Sequence, residues 1–220
     1  MPAPAAATNL PLPGRDCPLC PRLVGFRLDN RAKFPDWHNA PVPPFGGQDA
    51  GLLIVGLAPG LRGANRTARP FTGDYAGDLL YATLLKFGLA SGTYGQSPDD
   101  GLTLTGARIT NAVRCVPPQN KPEPSEFVHC RPFLIAEIAA MTRLKAILAL
   151  GKGAHDQILR ALDVKPAGAY PFIHGRHHRL PSSVLLADSY HCSRYNTNTR
   201  RLTTAMFESV FDALMPMLRG

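Results

Sequence analysis

Four short apolar runs constrain the fold of this 220-residue chain more than any other feature of its sequence. They comprise residues 52–58, 107–113, 146–150 and 183–187, and the first is apolar throughout, as strands buried on both faces of a sheet are. Helical patterns separate or follow them, over residues 75–87, 125–141 with Ser125 as the N-cap, 153–162 and 199–218. Alternating strands and helices predict an α/β fold in which helices cover both faces of a parallel sheet.

Length and composition indicate one globular domain. Apolar residues make up 45% of the chain and charged residues 18%, which is typical of a packed domain and excludes a disordered chain. We expect the domain to span residues 17–220 after a flexible Pro/Ala-rich tail at residues 1–16. The tail lacks the basic start and apolar stretch of a secretory signal, and no apolar run is long enough to span a bilayer. The sequence therefore predicts a cytoplasmic protein with no membrane partner.

The charge balance favours a polyanionic partner. Lys and Arg number 24 against 16 Asp and Glu, for a formal net charge of +8. Basic residues concentrate in two loops, one with Arg62, Arg66 and Arg69, the other with Arg194, Arg200 and Arg201. Aromatic residues lie among them, namely Phe71, Tyr75 and Tyr195, as in proteins that stack nucleobases beside a phosphate track. This pattern favours nucleic acid as the partner.

Three polar segments follow the predicted strands, at residues 58–74, 111–120 and 188–198. Open parallel sheets bind ligands outside the carboxyl ends of their strands, so these segments are the candidate site. The glycine-rich start of the first segment matches neither a Walker loop nor a dinucleotide fingerprint. Asp74 precedes a helix and His191 follows a strand, and either is by itself consistent with a purely structural role. The pair His177–His178 is interpreted as a solvated basic loop.

Four of the five cysteines suit a metal site. Cys17 and Cys20 form a C-x2-C pair, Cys115 ends a predicted strand, and Cys130 lies in the next predicted helix. Four thiolates satisfy either a tetrahedral zinc ion or an iron–sulfur cluster, and this spacing is typical of neither. The alternative is that Cys115 and Cys130 are small buried side chains, since free Cys is often buried.

Four motifs occur together in one order along the chain. They are Gly56-Leu-Ala-Pro-Gly60, Arg69-Pro-Phe-Thr-Gly-Asp74, Thr110-Asn-Ala-Val-Arg-Cys115 and His191-x-Ser-x-x-Asn196. With the cysteines, they resemble the uracil-DNA glycosylases of family 5, the second iron–sulfur type, from about residue 17 to residue 203. The resemblance implies a three-layer α/β/α fold with a four-stranded parallel sheet. It also implies hydrolysis of the bond that joins uracil, or other deaminated bases such as hypoxanthine and hydroxymethyluracil, to DNA in base excision repair.

The resemblance also assigns roles. Asp74 and His191 would be catalytic, while Ala58, Gly60, Phe71 and Asn111 would bind the substrate base. The DNA contacts would be Arg62, Arg66, Arg194, Tyr195 and Asn196. A 4Fe–4S cluster would be held by Cys17, Cys20, Cys115 and Cys130. The partner would be double- and single-stranded DNA with damaged bases, bound by a monomer at the nucleoid of a bacterium or archaeon.

Two positions depart from the wider superfamily. Ala58 stands where many relatives carry an Asp or Asn that orients the attacking water, which leaves Asp74 as the candidate replacement. Cys192 stands where proline is common. Two other functions remain open at this stage: a non-catalytic, metal-stabilised protein that senses DNA damage, and a zinc-stabilised hydrolase or transferase with Cys192 as its nucleophile.

Overall fold

A computed structural model of the chain describes residues 11–219. The first ten residues of the predicted tail therefore lie outside the described part. In chain order the helices and strands are α1 (Pro21–Lys33), β1 (Leu52–Gly56), α2 (Ala64–Thr67), α3 (Tyr75–Lys86), β2 (Ala90–Ser91), β3 (Thr103–Leu104), β4 (Ala107–Asn111), α4 (Pro124–Ala140), β5 (Ala146–Leu150), α5 (Lys152–Ala161), β6 (His177–Arg179), β7 (Leu185–Ser189), α6 (Arg194–Asn198) and α7 (Thr204–Arg219). Short 3-10 turns occupy Pro118–Asn120 and Ala167–Ala169.

The central sheet has the strand order β4-β1-β5-β7-β6. The first four strands run parallel, and β6 adds an antiparallel edge to β7. The predicted α/β fold with four parallel strands is confirmed, and the sheet has a fifth, antiparallel strand that the sequence did not predict. The register pairs Gly56 with Asn111 and Leu150 with Ser189, so the carboxyl ends of the parallel strands meet at one edge.

Both faces of the sheet are buried. In β1, Leu52 and Ile54 belong to a core that α3 and α7 complete, while Leu53 and Val55 face a second core formed with α4 and α5. Each of these four side chains is fully buried, which explains the unbroken apolar sequence of the strand. The cores hold the sheet between two layers of helices and leave the loops at its edges free to form a site.

Several predicted elements differ from the structure. Residues 1–50 were predicted to be irregular, but they contain α1. The helix was not predicted because its buried positions include Arg27 and Asn30, so its sequence shows no apolar periodicity. The last predicted helix, at residues 199–218, starts only at Thr204 as α7, and the predicted polar loop before it contains the short helix α6. Arg200 lies between them in the left-handed region (φ +57°). The N-cap of α4 is Glu123 rather than Ser125, because Glu123 and Glu126 form a reciprocal capping box.

The pair His177–His178 is not a solvated loop, and that interpretation was wrong. Both residues lie in β6, and His178 is buried against β7. Its Nε2 donates a hydrogen bond to the carboxylate of Asp188, 3.0 Å away. The strand was not predicted because its buried position, His178, is polar and its sequence neighbours are basic.

An ion network joins α4 to β4 beneath the sheet. The carboxylate of Glu137 is fully buried and accepts hydrogen bonds from Arg108, Thr110 and Arg114. Because Glu137 is the only carboxylate paired with these two arginines among residues 11–219, its loss leaves two buried cations without a counter-charge.

Glu137→Gln is therefore expected to lower the free energy of unfolding by about 3 to 5 kcal/mol, the cost of breaking a buried ion pair from one side. The matched control is Glu208→Gln, because Glu208 pairs with the exposed Lys86 at the surface. We expect the control to cost about 1 kcal/mol or less. Urea denaturation followed by circular dichroism measures both, and equal losses in the two variants would contradict this account.

Candidate active site

A pocket of about 330 Å³ opens at the edge where the parallel strands end. Its walls come from the loops after β1, β4 and β7 and from the start of α3, the segments that the sequence singled out. The lining residues include Ala58, Gly60, Phe71, Asp74, Tyr75, Asn111, Asn120, His191 and Arg194. The structure thus brings together all six residues predicted as catalytic or base-binding.

Asp74 occupies the N-cap of α3, where one carboxylate oxygen accepts a hydrogen bond from the amide of Ala76 at 3.2 Å. The other oxygen faces the loop after β1 so closely that a Cβ at residue 63 would lie 2.3 Å from it. Only glycine fits there. Burial raises the pKa of Asp74 above its ordinary 3.8, and the amides of Gly77 and Ala76 oppose that shift. The capping role and the pocket role therefore coexist in one side chain.

Asn111 and Phe71 form the inner end of the pocket. Asn111 is buried at the end of β4, paired in register with Gly56. A Cβ at residue 56 would lie 2.4 Å from Oδ1 of Asn111 and 2.7 Å from the Phe71 ring, so this position also requires glycine. No hydrogen bond between the Asn111 amide and another residue is present in the described part of the chain. Its donor and acceptor are therefore free to meet a ligand.

Phe71 adopts a left-handed backbone conformation (φ +53°), which is rare for an aromatic residue and indicates strain that the surroundings maintain. The neighbouring Arg69 supplies much of this support. Its guanidinium is buried, pairs with both oxygens of Asp100 at 2.7–2.8 Å, and lies against the rings of Phe45, Tyr81 and Tyr94. Arg69 is thus not part of an exposed basic cluster with Arg62 and Arg66.

Two of the aromatic residues around Arg69, Tyr81 and Tyr94, hold the backbone on either side of the Phe71 amide. The hydroxyl of Tyr81 donates to the carbonyl of Pro70 at 2.6 Å, and that of Tyr94 donates to the carbonyl of Phe71 at 3.1 Å. The Phe71 ring lies with its centroid 5.8 Å from that of His191. The aromatic face of the pocket is therefore fixed by contacts behind it.

His191 contributes an uncharged ring to the pocket. Part of the ring faces the cavity, yet the surrounding protein desolvates it and lowers its pKa to about 4. Its Nδ1 is buried and has no hydrogen-bond partner among residues 11–219. At neutral pH the side chain is therefore a neutral imidazole. The adjacent Cys192 is fully buried, and burial raises the pKa of its thiol, which argues against a thiolate nucleophile there.

The residues predicted to contact DNA lie in the two segments after β1 and β7, which also contribute lining residues to the pocket. Arg62, Arg66 and Arg194 are exposed, and Tyr195 leaves 71% of its surface accessible. The guanidinium of Arg194 lies 5.3 Å from the ring of Tyr75, which lines the pocket beside Asp74. The Asn196 amide donates to the carbonyl of His191 at 2.8 Å, so it also holds the His191 loop.

Asn120 and Tyr75 line the pocket, and neither was predicted as a site residue. Asn120 reaches the pocket from the 3-10 turn after Cys115, in a left-handed conformation (φ +56°), and adds a second side-chain amide to the wall. The available signal was the Pro117-Pro118 pair, which marks a rigid turn after a predicted strand. Tyr75 was noted only as an aromatic residue in a basic loop.

Cys17, Cys20, Cys115 and Cys130 line one small apolar pocket between α1, α4 and the end of β4. None of the described cysteines forms a disulfide. No three of these sulfurs lie within 4.8 Å of one another in the part of the chain described. A single tetrahedral zinc ion needs thiolate sulfurs about 3.8 Å apart, because each Zn–S bond is about 2.3 Å. The ligands of a 4Fe–4S cluster bind different irons and need no such close approach.

Two buried arginines line the same pocket. Arg27 directs a guanidinium nitrogen at the sulfur of Cys115, 3.9 Å away, and the amide of Arg114 donates to the sulfur of Cys130 at 3.3 Å. The Nε atoms of both arginines are buried and lack a partner within residues 11–219. Buried cations and unsatisfied donors beside four thiols fit an anionic, sulfur-rich group.

Comparison with known proteins agrees with this arrangement. The family model of the uracil DNA glycosylase superfamily matches residues 43–215. A type-5 uracil-DNA glycosylase of Thermus thermophilus is 44% identical over 200 residues, which cover 88% of this chain and 90% of that protein. One from Mycobacterium leprae is 43% identical (89% and 88% covered), and one from Pyrobaculum aerophilum is 38% identical (89% and 86%). The chain therefore belongs to the uracil DNA glycosylase superfamily and, within it, to the type-5 uracil-DNA glycosylases.

Proposed function

We propose that this protein hydrolyses the bond between uracil and deoxyribose in DNA and leaves an abasic site. The observation that carries the proposal is the meeting of a desolvated carboxylate, a neutral imidazole, a free amide and an aromatic ring in one pocket. Cleavage of a glycosidic bond develops positive charge on the sugar and negative charge on the departing base. The pocket offers a group for each charge.

The base would enter the pocket after leaving the duplex stack, which costs a few kcal/mol and less at a mismatch. Phe71 provides the ring on which the everted base stacks. The Asn111 amide presents one donor and one acceptor, which match the Watson–Crick edge of uracil. Other deaminated bases with a similar edge, such as hypoxanthine and hydroxymethyluracil, extend this proposal.

The chemistry divides between Asp74 and His191. The Asp74 carboxylate orients or deprotonates the attacking water and stabilises the cationic sugar, since Ala58 has no polar side chain for this task. Neutral His191 donates an N–H to the base oxygen that becomes negative as the bond breaks, and the backbone amides near Ala58 and Gly60 add to this effect. Water supplies the hydroxyl of the sugar product, and the base leaves with a proton.

The exposed cations of the segments after β1 and β7 complete the substrate model. Arg62, Arg66 and Arg194 would neutralise phosphates, Tyr195 would act as a wedge in the minor groove, and Asn196 would hold the loop that enters the DNA. The protein would act as a monomer on double- and single-stranded DNA in a bacterial or archaeal cytoplasm, at the nucleoid. No helix among residues 11–219 is long and apolar enough to cross a membrane.

A 4Fe–4S cluster bound by Cys17, Cys20, Cys115 and Cys130 would serve a structural role. Its ligands come from the segment before α1, from the turn after β4 and from α4. When bound, the cluster cross-links these three segments; the Arg27 guanidinium would offset part of its negative charge, and the Arg114 amide would donate to the Cys130 sulfur. Asn111 lies four residues before Cys115, so the same cross-link steadies the end of β4 that faces the base.

Asp74→Asn is the direct test of the catalytic proposal. Asparagine keeps the N-cap of α3 but removes the charge, so the fold should survive while the single-turnover rate of uracil release falls by about 10²- to 10⁴-fold. Binding to an abasic duplex should not change. The control is Asp78→Asn on the same helix, whose carboxylate meets only Gln96 in the hydrogen bonds of the described chain. A variant at residue 74 that releases uracil at the normal rate would exclude Asp74.

The pH dependence of the single-turnover rate should show one acidic limb. Burial raises the pKa of Asp74, so the rate should fall with decreasing pH earlier than an ordinary carboxyl of pKa 3.8 would cause. His191, with a pKa of about 4, stays neutral and should add no limb near pH 6.5. A rate that falls as the pH rises through about 6.5, with this fall absent in His191→Ala, would show that the imidazolium is the active form.

Cys20→Ala should reduce bound iron and remove the absorbance near ~400 nm that Cys-ligated iron–sulfur centres give. Cys192→Ala is the matched control, because Cys192 is buried in the core and lies outside the four-cysteine pocket. It should retain the full iron content. A colourless wild-type protein purified without oxygen, or bound zinc in place of iron, would contradict the cluster proposal.

A further inference from the structure

Three buried polar side chains meet behind the active site. They are His155 on α5, His178 on β6 and Asp188 on β7. Nδ1 of His155 lies 2.6 Å from one oxygen of Asp188, and Nε2 of His178 lies 3.0 Å from the other. The amide of Ile173 also donates to that second oxygen, at 3.2 Å. None of the three residues lines the active-site pocket, and the mechanism above uses none of them.

The partners of His155 fix its protonation state. Its second nitrogen, Nε2, lies 2.8 Å from the carbonyl of Tyr170, which can only accept. Both ring nitrogens thus face acceptors and both must carry a proton, which makes the ring an imidazolium. Burial by itself lowers the pKa of His155, but the hydrogen bond and charge of Asp188 outweigh burial and raise it. A buried ion pair with completed hydrogen bonds results.

The three donor atoms lie within 4.8 Å of one another, as metal ligands do. Their hydrogen bonds argue against a metal. Two ligands of one zinc ion, each bonded at about 2.0–2.1 Å, lie about 3 Å apart or more, whereas Nδ1 and Oδ1 are separated by 2.6 Å. Asp188 also already accepts hydrogen bonds from two rings and an amide. The cluster is complete without an ion.

From Asp188 to His191 each residue is held in turn. The amide of Asp188 donates to the carbonyl of Arg176, and the carbonyl of Asp188 accepts from Gly175. The carbonyl of Ser189 accepts from Gly151, the N-cap of α5, and the amide of Tyr190 donates to Nδ1 of His174 at 3.1 Å. Hydrogen bonds therefore fix the backbone at each residue between Asp188 and His191.

We propose that His155, paired with Asp188, is a positioning residue for His191. The ion pair clamps α5, β6 and the end of β7 together, and so fixes the direction in which the next residues carry the His191 ring into the pocket. This inference rests on the proposed catalytic role of His191. His155 itself touches neither the base nor the sugar.

The test is a double-mutant cycle with His155→Asn and His191→Ala. Asparagine places an N–H donor close to the position of Nδ1, so it keeps the hydrogen bond to Asp188 but loses the charge and the bond to Tyr170. Misplacing a catalytic group by less than about 1 Å costs roughly 10- to 100-fold, and we expect His155→Asn to slow single-turnover uracil release by that factor. Affinity for an abasic duplex should stay unchanged.

The second arm of the cycle separates positioning from general damage. If His155 acts through His191, His155→Asn should cause no further loss in a His191→Ala background. A full multiplicative loss there would overturn the inference and leave the role of His191 intact. If His191→Ala alone is as fast as the wild type, the catalytic role of His191 fails instead. Asp156→Asn, which removes an exposed partner of Lys152 on the same helix, should leave the rate unchanged and serves as the control.

If His155→Asn fails to fold, a measurement on the wild-type protein still tests the inference. In nitrogen NMR spectra at pH 7.5, both ring nitrogens of His155 should be protonated, whereas those of His191 should show a neutral ring. A neutral His155 would overturn the inference. The inference would also be overturned if the purified protein retained one equivalent of zinc and if Asp188→Asn lost both the zinc and the activity. The three residues would then be a metal site.

Discussion

The site depends on how closely the backbone after β1 approaches the side chains opposite it. At residue 56 a Cβ would overlap Asn111 and Phe71, and at residue 63 it would overlap the carboxylate of Asp74. Glycine at these two positions lets three loops close around one cavity. The same closeness removes water from Asp74, and that desolvation raises the pKa of its carboxylate.

The distribution of charge around the pocket suits cleavage of a glycosidic bond. A carboxylate that has lost part of its hydration is suited to a cationic sugar, because charge interactions strengthen where water is excluded. A neutral imidazole on the other side offers an N–H without bringing a positive charge close to that cation. Arg69 would be a second charged side chain nearby, but Asp100 and three aromatic rings enclose it. The protein thus keeps a strong cation behind Phe71 without exposing it to the base.

The fold was predictable because four largely apolar runs alternate with helical patterns in the sequence, and the fold class was confirmed. The candidate site was predictable as a place, since parallel strands bring their carboxyl ends together. The sequence did not indicate which polar side chains are buried. Helix α1 turns Arg27 and Asn30 inward, and β6 turns His178 inward, so neither shows the periodicity by which buried faces are recognised.

Roles that depend on tertiary partners were equally hidden. Arg69 reads as one of three loop cations until Asp100, thirty-one positions away, is seen to pair with it. His155 and Asp188 carry no shared motif, and only the fold brings their side chains to 2.6 Å. The boundary of α4 was misplaced because serine and glutamate are both plausible caps, and the reciprocal bond to Glu126 decided between them.

A crystal structure of the protein bound to a duplex with a non-hydrolysable deoxyuridine opposite guanine would show how Asp74, Phe71 and Asn111 meet the substrate. We expect the uracil to lie outside the helix, stacked on Phe71 with its edge on Asn111, and the Asp74 carboxylate to face the anomeric carbon of the sugar across one water. A uracil still stacked in the duplex, or an everted base with Asp74 turned away from its sugar, would contradict the proposed mechanism.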